Sequence, residues 1–271
     1  MASHGQIARK FSSLAKPRRV QNRSSQLWSQ ENYNASREAW ERLAREDPYT
    51  FRLTGLPRND PCAFWQSGER IVQDELLPLI VSRAIPLVLA LEIGCGIGRI
   101  ALPLARHFHQ VVGVDIAQSM VTRAITLARD NSILNLNYFS ISGPEELLRL
   151  AGSYAGKCSL IYSLLVFQHI PQFSMIAGYL HVIRFLLSEI GVAYLQFDTR
   201  PDSLFYRLES RLPDRLLPKS WRRGIRRIRR PAKDIETCLL QAGLEIVAEF
   251  TPQSAYHRFI LRTAPRRVGS R

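Results

Sequence analysis

A glycine-rich turn, between an apolar run and a helical pattern, is the strongest sign of chemistry in this sequence. Residues 87–93 form a run of strand length typical of a strand buried on both faces, and Gly94, Gly96 and Gly98 follow at once. Glycines let the backbone turn sharply and approach a ligand closely, where a Cβ would collide. Open α/β sheets bind nucleotides with this strand, turn and helix arrangement. The sequence therefore predicts a ligand at this turn.

Two carboxylates stand near the turn. Glu92 lies two residues before Gly94, and Asp115 ends the next predicted strand, nineteen residues after Gly96. A carboxylate at that strand end can accept hydrogen bonds from two adjacent ribose hydroxyls. The dinucleotide fingerprint needs a further glycine where Arg99 stands, so the spacing disfavours a nicotinamide oxidoreductase.

Alternating strand and helix patterns surround these residues. The predicted strands are 87–93, 111–115, 136–141, 159–165, 192–197, 244–250 and 257–262. The predicted helices are 29–46, 67–84 with Ser67 as N-cap, one ending near His107, 118–130, a short one from Pro144, 173–187 and 232–242. This alternation predicts an α/β fold with a doubly wound, Rossmann-like, mostly parallel seven-stranded sheet. The last two strands are too close for a crossover helix, so they should pair antiparallel at the sheet edge.

The basic charge of the chain is concentrated in segments. The 271 residues carry a formal net charge of +14, from 37 Lys and Arg against 23 Asp and Glu. Residues 1–30 hold six basic residues and no acid, residues 200–233 hold twelve basic and three acidic, and residues 258–271 hold five arginines. The rest is mildly acidic, so the net charge alone does not indicate a nucleic-acid-binding protein.

Composition also bears on the compartment. No apolar run reaches the ~18 residues of a membrane-crossing helix, so a soluble protein is expected. Residues 1–30 lack the apolar core of a secretory signal, and a solvated tail is favoured over an organellar transit peptide of similar composition. The four cysteines, at 62, 95, 158 and 238, are far apart, so neither a disulfide framework nor a metal site is expected. A reducing, cytoplasmic location fits this pattern.

The motifs around the turn resemble those of the class I S-adenosylmethionine-dependent methyltransferases. Residues 92–98 look like the first motif of that family, and residues 112–116 with Met120 look like the second. Residues 166–171 are similar to the segment after the fourth strand in the small-molecule, ubiquinone-biosynthesis-like branch, also described as methyltransferase type 11 or 12. Residues 40–49 and 64–70 look like the N-terminal cap of bacterial members.

The resemblance implies a domain organisation and S-adenosylmethionine as the cofactor. A basic disordered tail (1–28) and an N-terminal helical cap (29–84) would precede an S-adenosylmethionine-binding methyltransferase domain (85–262). A basic insertion (200–233) would interrupt that domain, and a basic tail (263–271) would follow it.

The resemblance also implies which residues contact the cofactor. The implied contacts are Gly94, Cys95, Gly96 and Gly98 around the methionine part, Glu92 near its amino group, Asp115 on the ribose, Ile116 and Met120 beside the adenine, and Phe167 and Gln168 bordering the sulfonium. The pair Ser142-Gly143 stands where the family usually has an acidic residue on the adenine amine, with Glu145 or Glu146 as substitutes.

His169 is the best candidate for a general base. It follows the predicted fourth strand, and imidazole titrates near neutrality. A base helps methyl transfer when the acceptor is a hydroxyl or a protonated amine. A histidine that satisfies backbone groups or shapes the pocket is an equal interpretation. Tyr33, Tyr49 and Trp65 would close over the site or simply pack within the cap.

The methyl acceptor is not given by any motif. The absence of an Asn/Asp-Pro-Pro-Tyr segment counts against the amines of nucleobases, and Pro61-Cys62, which precedes the cofactor motif, is interpreted as a turn. The sequence predicts methyl transfer to a small-molecule or lipid-like acceptor. The alternative is an RNA-directed methyltransferase, or an RNA-binding module, that uses the basic residues 215–230.

That basic segment admits three interpretations. Its central residues are Arg222, Arg223, Arg226 and Arg227. They would form a basic amphipathic helix on an anionic membrane or acidic substrate, a nucleic-acid contact, or a solvated arginine-rich face.

Overall fold

The structure is a computed structural model that describes residues 30–49, 55–56, 60–209, 212, 216–217 and 225–265, with the side chains of 30–33 and of 209 excluded. The predicted tail 1–28, the side chain of Tyr33, and Arg222 and Arg223 lie outside the described residues, as do residues 266–271 of the predicted C-terminal tail.

Seven strands form one mixed sheet in the order β3-β2-β1-β4-β5-β7-β6. The strands are β1 Leu89–Ile93, β2 Gln110–Asp115, β3 Leu136–Ser140, β4 Cys158–Ser163, β5 Leu187–Phe197, β6 Leu244–Phe250 and β7 His257–Thr263. Strands β1 to β5 are parallel, and β7 runs antiparallel to both β5 and β6. The predicted Rossmann-like sheet with an antiparallel terminal pair is confirmed.

Helices cover both faces of the sheet. They are α1 Gln30–Glu46, α2 Pro61–Ile71, α3 Leu77–Ser82, α4 Ala101–Leu104, α5 Gln118–Asp130, α6 Pro144–Leu150, α7 Phe173–Leu186, α8 Leu204–Glu209 and α9 Ala232–Gln241. A π-helical segment, Val72–Leu76, joins α2 to α3. One face packs against α7 and α9, and the other against α3, α4 and α5. None of the described helices combines the length and the apolar character needed to cross a membrane.

The second cap helix begins earlier than predicted. The sequence suggested an N-cap at Ser67, but α2 starts at Pro61, and Asp60 Oδ1 accepts a hydrogen bond from the Ala63 amide at 2.9 Å. Proline suits the first helical position because its fixed φ is helical and its missing N–H needs no partner. Pro61-Cys62 is therefore a helix start and not a turn. Ser67 lies inside α2, and its hydroxyl donates to the Phe64 carbonyl at 2.6 Å.

Two other boundaries differ from the prediction. Helix α4 ends at Leu104, and the chain then tightens, because the amides of Arg106 and His107 donate to carbonyls three residues back. Strand β5 begins at Leu187, immediately after α7, and pairs with Cys158 before a bulge. Residues 188–191 thus lie within a strand.

Candidate active site

The glycine turn closes the carboxyl end of β1 against β2. The amides of Gly94 and Cys95 both donate to the carbonyl of Val114, at 2.7 and 3.0 Å. Gly94, Gly96 and Gly98 have φ of +78°, +53° and +90°. Other residues enter this left-handed region at a cost, so the shape of the turn depends on glycine.

The three glycines differ in their surroundings. A Cβ on Gly94 would lie 2.2 Å from a methyl carbon of Val166, and a Cβ on Gly98 would lie 2.2 Å from the hydroxyl of Tyr138. A Cβ on Gly96 would meet no atom within 4 Å. Gly94 and Gly98 therefore allow the protein to pack on itself, whereas Gly96 leaves bare backbone facing open space.

Asp115 ends β2 and braces the turn. Its Oδ2 accepts a hydrogen bond from the Gly96 amide at 2.8 Å, and its Oδ1 accepts one from the Ala117 amide at 2.9 Å. Burial raises the pKa of this carboxyl, and the amides of Ala117 and Gly96 partly offset that effect. Each carboxylate oxygen has a second acceptor position, so these bonds leave capacity for ligand hydroxyls.

Glu92 is buried beside the turn at the end of β1. The hydroxyl of Tyr162 donates to its Oε2 at 3.0 Å. Burial raises the pKa of Glu92 to about 8, although Tyr162 and Arg99 act in the opposite direction. Most of this carboxyl is therefore protonated at neutral pH, and a cation bound nearby would favour its ionised form.

Arg99 connects the turn to the helical cap. Its Nη1 donates to Ser67 Oγ at 3.0 Å, and its guanidinium lies 5.8 Å from the ring centroid of Phe64. A Cβ on Gly68 would lie 1.9 Å from the Arg99 carbonyl oxygen, so α2 and the turn meet backbone to backbone. The cap is thus fixed directly onto the turn.

A cavity of about 1210 Å³ opens above the carboxyl ends of β1, β2 and β4. The predicted site residues that line it are Glu92, Gly94, Cys95, Gly96, Asp115, Ile116, Met120 and His169. The cap contributes Ser36, Trp40, Pro48 and Phe64. The loop after β4 and the start of α7 contribute Leu164, Leu165, Val166, Ile170, Pro171, Gln172, Met175 and Tyr179. The structure therefore brings residues from distant parts of the chain around one space.

Four predicted site residues lie outside this lining. Gly98 packs against Tyr138, as described above. Gly143 has a φ of +150° and stands at the N-cap position before α6, where Glu146 Oε2 accepts a hydrogen bond from the Ser142 amide at 2.5 Å. Phe167 and Gln168 are fully buried and do not line the cavity.

Helix α1 forms the roof of the cavity. Glu41 accepts hydrogen bonds from the amide and the hydroxyl of Ser119, the latter at 2.5 Å, at the start of α5. The ring of Trp40 meets the ring of His169 edge to face, with centroids 5.3 Å apart. One helix turn therefore contacts both the β2 side and the β4 side of the cavity.

The other cap aromatics pack among themselves. Tyr49 lies 5.1 Å from Phe64 and 6.5 Å from Trp65, centroid to centroid, and neither Tyr49 nor Trp65 lines the cavity. Trp40 of α1, in contrast, lines the cavity.

His169 lies at the end of a 3₁₀ turn after β4, and its side chain is buried. Burial and the positive charge of Arg227 lower its pKa to about 4. Its Nε2 lies 3.3 Å from Nε2 of Gln168, and its Nδ1 has no hydrogen-bond partner among the described residues. The ring is therefore neutral at physiological pH.

The two residues before His169 fix its position. Phe167 stacks on Phe197 of β5 with centroids 5.2 Å apart and also contacts Tyr179. The side-chain oxygen of Gln168 accepts a hydrogen bond at 3.2 Å from the side-chain amide of Gln196, which is also on β5. Phe167 and Gln168 thus support His169 from the neighbouring strand.

Arg230 is a functional candidate that sequence reasoning missed. It is buried, and its guanidinium donates to the carbonyls of Phe167, Ile170 and Pro171. Burial lowers its pKa to about 10. The arginine therefore holds the loop that carries His169. No pattern in the sequence distinguishes it from the neighbouring arginines.

The described end of the basic segment is not helical. Residues 227–231 have no regular secondary structure, and the Ile228 amide donates to the Gln168 carbonyl at 2.7 Å. Arg227 lies over the ring of Tyr256 at 4.9 Å, and Arg226 is half-buried. The predicted basic amphipathic helix over 215–230 is thus wrong for its described end, because the backbone of this stretch bonds to the loop after β4 and not within a helix.

A second cavity, of about 850 Å³, lies beside the first between α2 and the ends of β4 and β5. Both cavities are lined by Arg99, Leu164 and Leu165. Gln196 and Arg258 line the second one, and Arg258 pairs with Glu75 at 3.0 Å. This space is more polar than the first. Across the described part of the chain, no group of His, Cys, Asp and Glu is arranged to hold a metal ion.

Comparison with known proteins identifies a methyltransferase domain. Residues 90–188 match the family model described as a methyltransferase domain. The chain therefore carries such a domain, with S-adenosylmethionine as its cofactor. The bare backbone at Gly96, beside the carboxyls of Glu92 and Asp115, suits a ligand with a ribose and an ammonium group.

Solved methyltransferase structures share the fold. Magnesium protoporphyrin IX methyltransferase from Synechocystis PCC 6803, crystallised with bound SAH, superposes with a TM-score of 0.59 at 20% identity, over 86% of this chain and 99% of that one. A SAM-dependent methyltransferase from Leishmania major superposes with a TM-score of 0.58 at 14% identity, over 88% and 87% of the two chains.

The similarity to curated proteins is shorter. The 23S rRNA (uracil(1939)-C(5))-methyltransferase RlmD of Pseudomonas putida is 47% identical over 57 residues, which cover 21% of this chain and 13% of that protein. RlmD of Legionella pneumophila strain Corby is 35% identical over 75 residues, 26% of this chain and 17% of that protein. These matches span a small part of either protein.

Proposed function

We propose that this methyltransferase transfers a methyl group from S-adenosylmethionine to a small-molecule or lipid-like acceptor. The observation that carries this proposal is the continuous cavity from Gly96 to His169, roofed by Trp40 and lined mainly by apolar side chains. Bound there, the cofactor supplies an electrophilic methyl group on a sulfonium. Apolar walls exclude water and align the acceptor, which is the main requirement of an in-line displacement.

The residues of this chain have separable roles in the proposal. Gly94, Cys95, Gly96 and Gly98 shape the backbone around the methionine part, and Glu92 stabilises its ammonium. Asp115 accepts from the ribose hydroxyls, and Ile116 and Met120 flank the adenine. Phe167 and Gln168 act through His169, which they position. Gly143 contributes through the start of α6, beside Glu145 and Glu146.

His169 is proposed as the general base. Its neutral ring lines the cavity, and its position is fixed by Gln168, Trp40 and the loop that Arg230 clamps. An acceptor hydroxyl or ammonium at this ring could transfer its proton as the methyl group arrives. The second cavity offers Gln196 and Arg258 to a polar end of the acceptor, while its shared wall of Leu164 and Leu165 faces an apolar part.

An RNA acceptor is the second candidate. The basic segment after β5 favours it, since Arg222, Arg223, Arg226 and Arg227 would contact the phosphates. The same arginines would serve an anionic membrane surface. The cytoplasm remains the proposed location, since all four cysteines are free thiols.

The test supplies the protein with S-adenosylmethionine labelled in its methyl group, together with bacterial lipid and metabolite extracts or total RNA. Label that enters the organic-extractable or small-molecule fraction, and is lost in Asp115→Ala, supports the proposal. Label that enters RNA alone would replace it with the second candidate. Calorimetric titration that shows no binding of S-adenosylhomocysteine to the folded protein would contradict both.

A further inference from the structure

An outward apolar face lies on the segment that follows β5. Leu204 and Leu208, one helical turn apart on α8, have exposed fractions of 78% and 65%. Residues four apart lie on the same side of a helix, so these side chains form one surface. Tyr206 is half-buried, and its hydroxyl accepts a hydrogen bond from the Arg229 amide at 3.1 Å. Helix α8 is therefore anchored through Tyr206, with its leucines directed outward.

The same spacing continues beyond the helix. Leu212 and Leu216 are also exposed, so leucines recur every fourth residue from 204 to 216. An arginine precedes three of these leucines, at positions 207, 211 and 215. Residues 200–233 carry twelve basic and three acidic residues. We call Leu204 and Leu208 the leucine face; Leu212 and Leu216 continue its spacing in the sequence.

The leucine face is connected to the cavity through short contacts. The guanidinium of Arg229 lies 4.4 Å from the ring of Tyr206, and its Nη1 donates to the Pro201 carbonyl at 2.8 Å. The next residue toward the N-terminus, Ile228, bonds through its amide to the Gln168 carbonyl, beside His169. A surface bound at α8 would therefore lie next to the loop that borders the acceptor side of the cavity.

We propose that the leucine face docks on an anionic lipid bilayer. Aliphatic side chains gain free energy by entering the boundary between head groups and acyl chains, and the arginines are attracted to the anionic head groups. RNA would leave these leucines without a favourable environment, since RNA sites rely on aromatic stacking and hydrogen bonding. The positive charge of residues 200–233 and the exposed leucine face together favour a membrane over RNA.

Vesicle co-sedimentation tests this docking. The full-length protein is mixed with vesicles of phosphatidylcholine alone, and with vesicles containing 30% phosphatidylglycerol (about a third anionic lipid). We expect binding to the anionic vesicles, at least tenfold weaker binding to the neutral ones, and weaker binding as salt is raised. The double variant Leu204→Ser, Leu208→Ser should lose at least tenfold in affinity for the anionic vesicles.

The matched control is Leu134→Ser, Leu240→Ser. These leucines have exposed fractions of 94% and 64%, but neither belongs to the leucine face: Leu134 precedes the edge strand β3, and Leu240 lies on α9. The control should bind anionic vesicles as the unaltered protein does. Equal losses in both double variants, or no loss in Leu204→Ser, Leu208→Ser, would overturn the proposal.

Two further measurements separate this inference from its alternatives. The first is competition between single-stranded RNA and anionic vesicles. RNA would replace the membrane as the partner if it competes fully with the vesicles and if Leu204→Ser, Leu208→Ser changes neither RNA binding nor vesicle binding. Titration with S-adenosylhomocysteine should be unchanged in both double variants. Vesicle binding does not require methyl transfer, so either proposal can fail while the other stands.

Discussion

The two sides of the cavity are built in different ways. On the β1–β2 side, the loop is held by bonds within a short stretch, such as the Gly96 amide to Asp115 and the Gly94 amide to Val114. On the β4–β5 side, the loop that carries His169 is held by residues far along the chain. Arg230 clamps its carbonyls, and Gln196 bonds to Gln168.

In the proposed function, this difference separates recognition of the cofactor from recognition of a particular acceptor. The hydrogen bonds that close the glycine turn come from its own pair of strands. The β4–β5 side depends on the segment after β5, which carries the basic residues between 200 and 233. We therefore expect changes in that segment to reshape the β4–β5 side more than the β1–β2 side.

The largest expected effect contrasts two glycines of the same turn. Gly96→Val places a side chain in the cavity, so affinity for S-adenosylhomocysteine should fall at least a hundredfold, about 2.7 kcal/mol. The strain of φ +53° should cost the fold only about 1–2 kcal/mol. Gly94→Val would drive its Cβ into Val166 and should destabilise the fold by roughly 3 kcal/mol or more.

Calorimetry and thermal unfolding of both variants check this contrast. Retained cofactor affinity in Gly96→Val would show that the cofactor lies elsewhere. Unchanged stability in Gly94→Val would show that the turn is not packed against Val166 as described.

The second prediction concerns the long-range clamp. Arg230→Met keeps much of the side-chain volume but removes a buried guanidinium that donates to three carbonyl groups, so the protein should lose roughly 3 kcal/mol of stability. Arg226→Met, at a half-buried site four residues earlier, should change stability by less than about 0.5 kcal/mol. Urea unfolding of both variants gives the comparison. A similar loss in both would mean that Arg230 contributes no more than its neighbours.

The same contrast explains what the sequence could predict. The glycine turn, the place of Asp115 at the end of β2 and the mostly parallel sheet with its antiparallel terminal pair were predictable, because strand periodicity and a local motif determine them. The clamp by Arg230 and the contact of Trp40 with His169 depend on which distant segments meet, and no spacing encodes that. The start of α2 was misplaced because Ser67 and Asp60 are both good N-caps, and only Pro61 favours the earlier one.

The third prediction uses pH to compare the two sides. Glu92 has a folded pKa of about 8, above its usual 4.5, so the folded state holds a proton that the unfolded state releases. The contribution of Glu92 to the free energy of unfolding therefore falls as pH rises from 4.5 to 8. Between pH 6.5 and 8 it falls by roughly 1.5 kcal/mol. His169 has a folded pKa of about 4, below its usual 6.5, so its contribution is lost as pH falls through that window.

Between pH 5 and 6.5 the two groups act in opposite directions and nearly cancel. Glu92→Gln should therefore give a protein whose stability no longer falls above pH 6.5 and rises more steeply with pH below it. His169→Asn should give the reverse slope below pH 6.5. The measurement is the free energy of unfolding from pH 5 to 8. It is expressed for each variant as the difference from the unaltered protein. Identical difference curves would contradict the assignment of opposite shifts to the two sides.

The smallest expected effect concerns the helix that bridges the two sides. Glu41→Ala removes the acceptor that caps the start of α5 at Ser119, which should cost about 1 kcal/mol. Helix α1 would keep its contact between Trp40 and His169 but lose its bond on the β2 side, so amide exchange should accelerate in α1 and in the first turn of α5. Glu38→Ala, exposed on the same helix, should leave exchange unchanged. Equal amide exchange rates in both variants would mean that the contact between Trp40 and His169 alone holds α1 over the cavity. The bond from Glu41 to Ser119 would then not couple the β2 side to the β4 side.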